Sequence, residues 1–157
     1  MRYEDYRRGL CLLDPYGLHL NWEVTAKAGQ MKSIEIFLNF PVADMNRNVL
    51  WRDPDKVDSI QATRLTSYWG DDSWREAAYD DTRNLFGWEG KKGNEAKAES
   101  FRERLIKVAG FNYVPNPVPM RNRKGTIIYY LFFASQKPVA AQIVTEIFSK
   151  YQSKGVT

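Results

Sequence analysis

The chain has little of several residue types on which function often depends. Its 157 residues include one cysteine, Cys11, and one histidine, His19. This excludes an internal disulfide framework and the usual zinc sites, and it favours a reducing, cytoplasmic location. The absence of a G-x-S-x-G sequence excludes the nucleophile elbow of the α/β-hydrolases. No apolar run approaches the roughly 20 residues that span a bilayer, so no membrane association is expected.

What the chain does contain is sufficient for one folded domain. Hydrophobic residues make up 43% of the sequence and aromatic residues 14%. A chain of this length can bury most of its apolar surface, so we predict a single α/β domain over residues 1–157. The net charge of +4 permits binding to a polyanion such as nucleic acid, but a charge of this size is common in proteins that bind none.

A short apolar run near the N-terminus stops abruptly at a turn sequence. Residues 10–14 are Leu-Cys-Leu-Leu-Asp, and Pro15, Tyr16 and Gly17 follow directly. This pattern predicts a buried strand whose carboxyl end opens into a tight loop. Open α/β sheets bind their ligands at the carboxyl ends of strands, so Asp14 is the first candidate for a ligand contact.

The next segments predict a parallel βαβ unit. Asn21 is a suitable N-cap for a short helix that we expect to stop at Gly29. Residues 33–40 form a mostly apolar run closed by Pro41, which predicts a second strand parallel to the first.

Residues 42–86 carry helix signals and no strand run, which predicts a helical insertion. Asp53-Pro54 is expected to begin a helix that ends near Trp69, and Asp71 or Asp72 to cap a shorter one that runs to Ala78. The aromatic residues of this part of the chain are expected to line any cleft. They are Trp51, Tyr68, Trp69, Trp74, Tyr79 and Trp88.

Residues 87–94 are rich in glycine and lysine and are expected to form a linker. A phosphate loop is disfavoured, because no strand precedes the segment and it lacks the Gly-Lys-Ser/Thr ending. An amphipathic helix is predicted over 95–109, with Gly110 as its C-cap.

The last third of the chain predicts an antiparallel hairpin followed by a helix. Residues 111–120 contain three prolines, which restricts them to a sheet edge, whereas 126–134 contain none and predict a central strand buried on both faces. A closing helix begins at Pro138. Its expected apolar stripe is Val139, Ile143, Val144, Ile147, Phe148 and Tyr151.

The order of these elements resembles the carboxyl-terminal half of the class I S-adenosylmethionine-dependent methyltransferase fold, from its fourth strand to its seventh. The expected sheet has about four strands, with the last strand inserted between the proline-rich edge and the earlier strands. Residues 13–17 are similar to the Asp-Pro-Phe/Tyr-Gly form of the motif after the fourth strand. Residues 109–117 and 129–135 resemble the three-Cys-motif partner proteins, a bacterial and phage-associated, methyltransferase-like group of uncertain activity.

The resemblance covers essentially all of this chain. It covers only the second half of a full family member. It implies that the glycine-rich loop and the acid that hold S-adenosylmethionine have no counterpart before Leu10. Tight binding of this cofactor is therefore expected in a completed fold and not in this chain. We expect a fragment or a half-fold, with strand 10–14 as an unpaired edge that joins a second copy or a partner chain. The family name suggests a three-Cys-motif protein as that partner.

The resemblance also implies a catalytic role for Asp14, Pro15 and Tyr16. Asp14 and the Pro15 carbonyl would accept hydrogen bonds from an exocyclic amine while Tyr16 stacks on a planar ring. The substrate would then be an amino group, such as that of a nucleic-acid base. The paired prolines of many base methyltransferases are reduced to one here, which leaves the substrate open.

Simpler interpretations remain for each of these residues. Asp-Pro-Tyr-Gly is a good turn sequence in any protein. His19 is either a proton carrier or a solvated loop residue. The basic turn with Arg121, Arg123 and Lys124 either contacts phosphates or is a solvated hairpin tip. Two functions thus stay open, a methyltransferase-like enzyme that needs its other half and a non-catalytic partner module.

Overall fold

The computed structural model describes residues 7–51, 56–83 and 89–153. None of the helices in these ranges combines the length and the apolar composition that a membrane-spanning helix needs. The elements in chain order are β1 (Gly9–Leu13), α1 (Trp22–Met31), β2 (Ile34–Phe40), α2 (Val42–Asn48), α3 (Ser59–Trp69), α4 (Trp74–Ala78), β3 (Tyr79–Arg83), β4 (Glu89–Lys91), α5 (Asn94–Lys107), β5 (Val118–Arg121), β6 (Ile127–Ala134) and α6 (Pro138–Ser153).

The main sheet has four strands in the order β1-β2-β6-β5, which confirms the predicted mixed α/β sheet. β1 and β2 are parallel, and β6 is antiparallel to both β2 and β5. β5 contains Pro119, which cannot donate to a ladder, and it lies at the edge as expected. β6 contains no proline and occupies the position between β2 and β5.

The register of the strands determines which loops meet. β1 and β2 both end at one side of the sheet, and β6 begins there because Phe40 lies opposite Tyr130. The loop after β1, the start of α2 and the turn between β5 and β6 therefore share one end of the sheet.

One face of the sheet is covered by an aromatic core. Phe101 of α5 contacts the rings of Trp22, Phe40, Tyr68 and Phe132. Four of the insertion's aromatics are buried on α3, on α4 and at the start of β3, which contradicts the expectation that they line a cleft except for Trp69, which borders a cleft beside α5. These four buried residues are Tyr68, Trp69, Trp74 and Tyr79.

Trp51 is the exception, since about half of its surface is exposed, while Trp88 lies outside the described residues. The other face of the sheet packs against α6. A smaller buried cluster there joins β5, β6 and α6, with Phe37 of β2 beside it. Its buried members are Val118, Phe133, Val144 and Phe148.

The predicted insertion is not purely helical. β3 pairs with β4 in a separate two-stranded antiparallel sheet, so a strand closes the insertion and another lies within the expected linker 87–94. β3 has the sequence Tyr-Asp-Asp-Thr-Arg, which has no apolar alternation, so its strand conformation has no hydrophobic signature.

Several helix ends differ from the prediction. Asn21 caps α1 through a side-chain bond from the Glu23 N–H, as expected, but the helix continues past Gly29 to Met31. α3 begins at Ser59 because the Asp58 carboxylate accepts from the Ile60 N–H. The predicted start at Asp53-Pro54 lies outside the described residues.

Two further helix boundaries also moved, while the start of the last helix did not. α4 has Ser73 at its N-cap position, and the Ser73 N–H donates to the Asp71 carboxylate, so Asp71 lies two residues before the N-cap position expected for it. α5 runs over Asn94–Lys107, and Gly110, with φ of 84°, lies beyond its C-cap. α6 begins at Pro138 as predicted, but its apolar stripe is only partly covered.

β6 is also less buried than predicted. Its second half is covered on both faces, whereas Ile128 near its start is exposed. The reason is that this end of the strand leaves the two helical layers and borders an open cleft.

Candidate functional site

A polar cleft of about 450 Å³ lies at the carboxyl ends of β1 and β2. The loop after β1, the end of β2, one side of α2, the first half of α3 and the start of β6 form its walls. Its side chains include two carboxylates, two guanidinium groups, three amides, two phenols and the histidine ring. These are Asp14, Asp44, Arg47, Arg64, Asn39, Asn48, Gln61, Tyr16, Tyr129 and His19.

Asp14 lies in this cleft and is fixed by a neighbour that sequence analysis missed. The Asn39 Nδ2 atom donates to Asp14 Oδ1 at 2.5 Å. Asn39 is the penultimate residue of β2, and its carbonyl accepts a 2.9 Å bond from the Tyr68 hydroxyl. Burial raises the pKa of Tyr68, which keeps that hydroxyl protonated as a donor. The carboxylate is thus oriented, while its Oδ2 atom has no hydrogen-bond partner among the described residues.

A second carboxylate approaches the same loop. Gly17 has φ of 57°, and a Cβ atom there would lie 2.8 Å from Asp44 Oδ2. Glycine therefore allows α2 to pack directly against the loop after β1. The Asn48 side chain donates to Asp44 Oδ1 at 2.6 Å and orients this group in turn.

Tyr16 projects into solvent beside the cleft, with 90% of its surface exposed. Its ring stacks on that of His19, with centroids 6.2 Å apart and planes 29° from parallel. The backbone N–H of His19 donates to the Tyr16 carbonyl, which closes the turn. The structure therefore brings His19 to the motif as a stacking partner of Tyr16.

Two arginines that sequence analysis did not select line the cleft. Arg47 of α2 and Arg64 of α3 are exposed and have no hydrogen-bond or ion-pair partner among the described residues. Their charge is available to a ligand.

The basic hairpin turn, in contrast, lies beside the cleft and not in its wall. Arg121 donates to the Gly125 carbonyl at 2.8 Å, and the Asn122 side chain accepts from the Lys124 N–H. Arg123 is exposed at the tip. Tyr129 of the same hairpin does line the cleft, so the turn flanks the site at the same end of the sheet.

In the part of the chain that the structure describes, β1 pairs with β2 and has no strand on its other side. That part also holds no group of three or more His, Cys, Asp or Glu residues suited to a metal ion. What the arrangement offers is hydrogen-bond acceptors, a stacking ring and unpaired cations.

Some of these residues could have been found from the sequence. Asn39 ends the second predicted strand, and parallel strands end at the same side of a sheet. Arg47 and Arg64 lie in helices whose position above the sheet carries no local signal. Comparison of the chain with protein-family models, with curated proteins and with solved structures found no match.

Proposed function

We propose that this chain is the substrate-binding half of a methyltransferase-like protein that holds an exocyclic amine of a nucleic-acid base. The carrying observation is the Asp14 carboxylate, which Asn39 orients at the carboxyl end of β1 beside the exposed Tyr16 ring. The proposal also draws on the resemblance of residues 13–17 to the methyltransferase motif.

The chemistry of binding follows from the groups that remain open. Asp14 Oδ2 and the Pro15 carbonyl have no hydrogen-bond partner among the described residues, and both accept. An amine attached to a planar ring would donate to both oxygens while the ring stacks on Tyr16. The amine nitrogen would thereby be held in one orientation.

The charge around the cleft favours a nucleic acid over a free base. Arg47 and Arg64 line the cleft, and the turn with Arg121, Arg123 and Lys124 flanks it. Phosphates on either side of a bound base would contact these cations. A base must leave its stack to enter such a site, so a single strand is the expected ligand form.

The proposal is tested by fluorescence anisotropy with a labelled adenine- and cytosine-containing single-stranded oligonucleotide. Tyr16→Ala is expected to weaken binding about 5-fold or more, because stacking contributes roughly 1–3 kcal/mol per base. Asp14→Asn should weaken binding to these bases and not to a thymine oligonucleotide, which has no exocyclic amine. Tyr151→Ala, which alters a half-exposed tyrosine on α6, serves as the matched control. Equal affinities for all variants would refute the proposal.

Cofactor binding gives a separate test. Isothermal titration of S-adenosylmethionine into this chain is expected to show no tight binding, because the resemblance places the cofactor loops on strands beyond β1, where no strand of the described residues lies. A longer version or a complex that supplies the neighbouring strands should bind it. Failure of the completed protein to bind would exclude the enzyme interpretation.

A second candidate function is a non-catalytic partner module, and the open edge of β1 favours it. Leu10 and Leu12 on this strand are exposed, as in a surface that another chain covers. A pull-down with a three-Cys-motif protein that Asp14→Ala does not diminish would support this function. Light scattering that shows a stable monomer, with no complex formed, would contradict it.

A further inference from the structure

The loop after β1 presents two aromatic rings to the cleft. Leu18 is buried in the main core and anchors the loop from inside. The His19 N–H donates to the Tyr16 carbonyl at 3.2 Å, and Gly17 lies directly against Asp44. The side chains of Tyr16 and His19 are exposed and line the cleft on either side of these contacts. The backbone that carries the two rings is therefore fixed, while the rings themselves lie in solvent.

The Tyr16 and His19 rings are neighbours, but His19 leaves the Tyr16 ring open. Their centroids are 6.2 Å apart and their planes are 29° from parallel. Even so, 90% of the Tyr16 surface is exposed. Contact with another ring over a whole face would remove a much larger share of that surface. His19 therefore does not cover the face of Tyr16 that is turned toward it.

The spacing of the two rings is close to what one inserted planar ring needs. Stacked carbon atoms lie about 3.5 Å apart, so a ring held between two others needs about 7 Å between the outer pair. From their 6.2 Å spacing, Tyr16 and His19 would have to separate by roughly 1 Å. Exposed side chains change rotamer within nanoseconds, and neither side chain has a hydrogen-bond or ion-pair partner among the described residues. No polar contact of that part of the chain opposes the small movement.

We propose that Tyr16 and His19 form an aromatic slot that holds one base between their rings, with His19 as the second stacking residue. The inference rests on the proposed function, in which Tyr16 stacks on the base whose amine Asp14 binds. Asp14 lies two residues before Tyr16 and lines the same cleft. A base in the slot is held on both faces by rings and at one edge by its amine. On Tyr16 alone, the base would be free to slide across the ring, so the slot improves its orientation.

The surroundings of the aromatic slot favour a base over the aromatic side chain of a peptide. Either ring would stack on Tyr16 and His19. A phenylalanine ring, however, has no donor for the open oxygen of Asp14 and no anion for Arg47 and Arg64, which line the same cleft. A nucleotide within a strand carries a planar ring, an exocyclic amine and flanking phosphates, and so matches all three kinds of group.

The test uses a nine-nucleotide thymidine single strand with one central 2-aminopurine, a fluorescent base that carries an exocyclic amine. Titration with the full chain is expected to quench the fluorescence, because the base stacks between the two rings. His19→Ala should weaken binding about 5-fold or more and leave less quenching at saturation. His19→Phe keeps a ring at this position and should restore both properties. Circular dichroism checks that each variant keeps its fold.

Two further variants and a second strand serve as controls. His19→Lys keeps a cation but no ring and should behave like His19→Ala. Tyr151→Ala changes a tyrosine of α6 that is 42% exposed, and it should bind as the unaltered chain does. A strand with an abasic site in place of the 2-aminopurine measures binding by the backbone alone. Its affinity should be lower and should not change with His19→Ala.

Two results would overturn the aromatic slot. The first is a His19→Ala variant with unchanged affinity and quenching; if Tyr16→Ala still weakens binding, the proposed function stands without the slot. The second is binding that His19→Lys restores and His19→Phe does not, since His19 would then contact a phosphate. Failure of the proposed function gives a different result, in which Asp14→Asn binds the 2-aminopurine strand as tightly as the unaltered chain. Weaker binding by both ring variants in that case would support a slot for a base without an amine site.

Discussion

At the scale of single residues, Arg104 connects more structure than any charge in the candidate site. Its guanidinium donates to the Trp69 carbonyl, to Ser73 Oγ and to the Asp71 carboxylate, at 3.0, 3.0 and 2.9 Å. It also lies over the Trp22 ring, 5.0 Å from the centroid. Burial by itself would raise the pKa of Asp71, but hydrogen bonds from Ser73 and the charge of Arg104 lower it.

Arg104→Ala is expected to reduce the free energy of unfolding by about 2–3 kcal/mol, because it removes three hydrogen bonds and a partly buried cation contact. Urea denaturation measures the loss. Lys107→Ala is the control on the same helix, since Lys107 makes an exposed ion pair with Glu103 and should change stability by less than about 1 kcal/mol. A similar loss in both variants would show that the network around Arg104 does not stabilise the fold.

Residues of the site differ in how far local sequence indicates their role. Asp14 stands between a strand and a turn, so its position at a sheet end is a local property. Asp44 lies inside a helix and reaches the site because Gly17, 27 positions earlier, has no side chain. Such a contact depends on how α2 lies over the sheet, which periodicity does not encode.

At the scale of elements, Gly29 shows why a glycine pattern predicted the wrong helix end. The residue was expected to stop α1, but it lies inside the helix at a close contact. A Cβ atom there would lie 2.0 Å from the Ala109 carbonyl oxygen. Gln136 bridges the same two segments by donating to the carbonyls of Gly29 and Gly110. The glycine therefore allows α1 to pack closely against the loop after α5, and it does not end the helix.

Gly29→Ala is expected to destabilise the protein by about 2 kcal/mol or more, although alanine favours a helix by about 1 kcal/mol over glycine. The added methyl would push α1 away from the loop after α5. Thermal and urea unfolding provide the measurement. Gly93→Ala is the control, because nothing lies within 4 Å of a Cβ there, and it should shift stability by about 1 kcal/mol or less. A stabilised Gly29→Ala variant would contradict the close contact.

At the scale of the whole molecule, Phe101 joins the sheet to the helices on its larger face. Its ring lies 4.7 Å from that of Phe40 and 5.5 Å from that of Phe132, and it also contacts Trp22 of α1 and Trp69 of α3. Four elements besides α5 thus meet at one side chain.

Phe101→Ala should reduce the free energy of unfolding by about 3–5 kcal/mol, because it leaves a cavity between these elements. The change is read from urea denaturation followed by tryptophan fluorescence, which reports Trp22 and Trp69 beside the cavity. Val108→Ala, at an exposed position just after α5, should have little effect. A loss below 1 kcal/mol for Phe101→Ala would mean that the core does not depend on this ring.

The sequence by itself determined the order of the main sheet and the position of the Asp14 loop. Proline cannot donate to a ladder, so the prolines of residues 111–120 restrict that segment to a sheet edge. The apolar run of residues 126–134 contains no proline and can lie between two strands. Each of these signals lies within the segment that it describes. Tertiary structure alone decided that α2 and α3 complete the cleft with Asp44, Arg47 and Arg64. It also decided that Leu12 and Ile143 stay exposed, because an apolar pattern shows which side of an element can be buried and not whether a neighbour covers it.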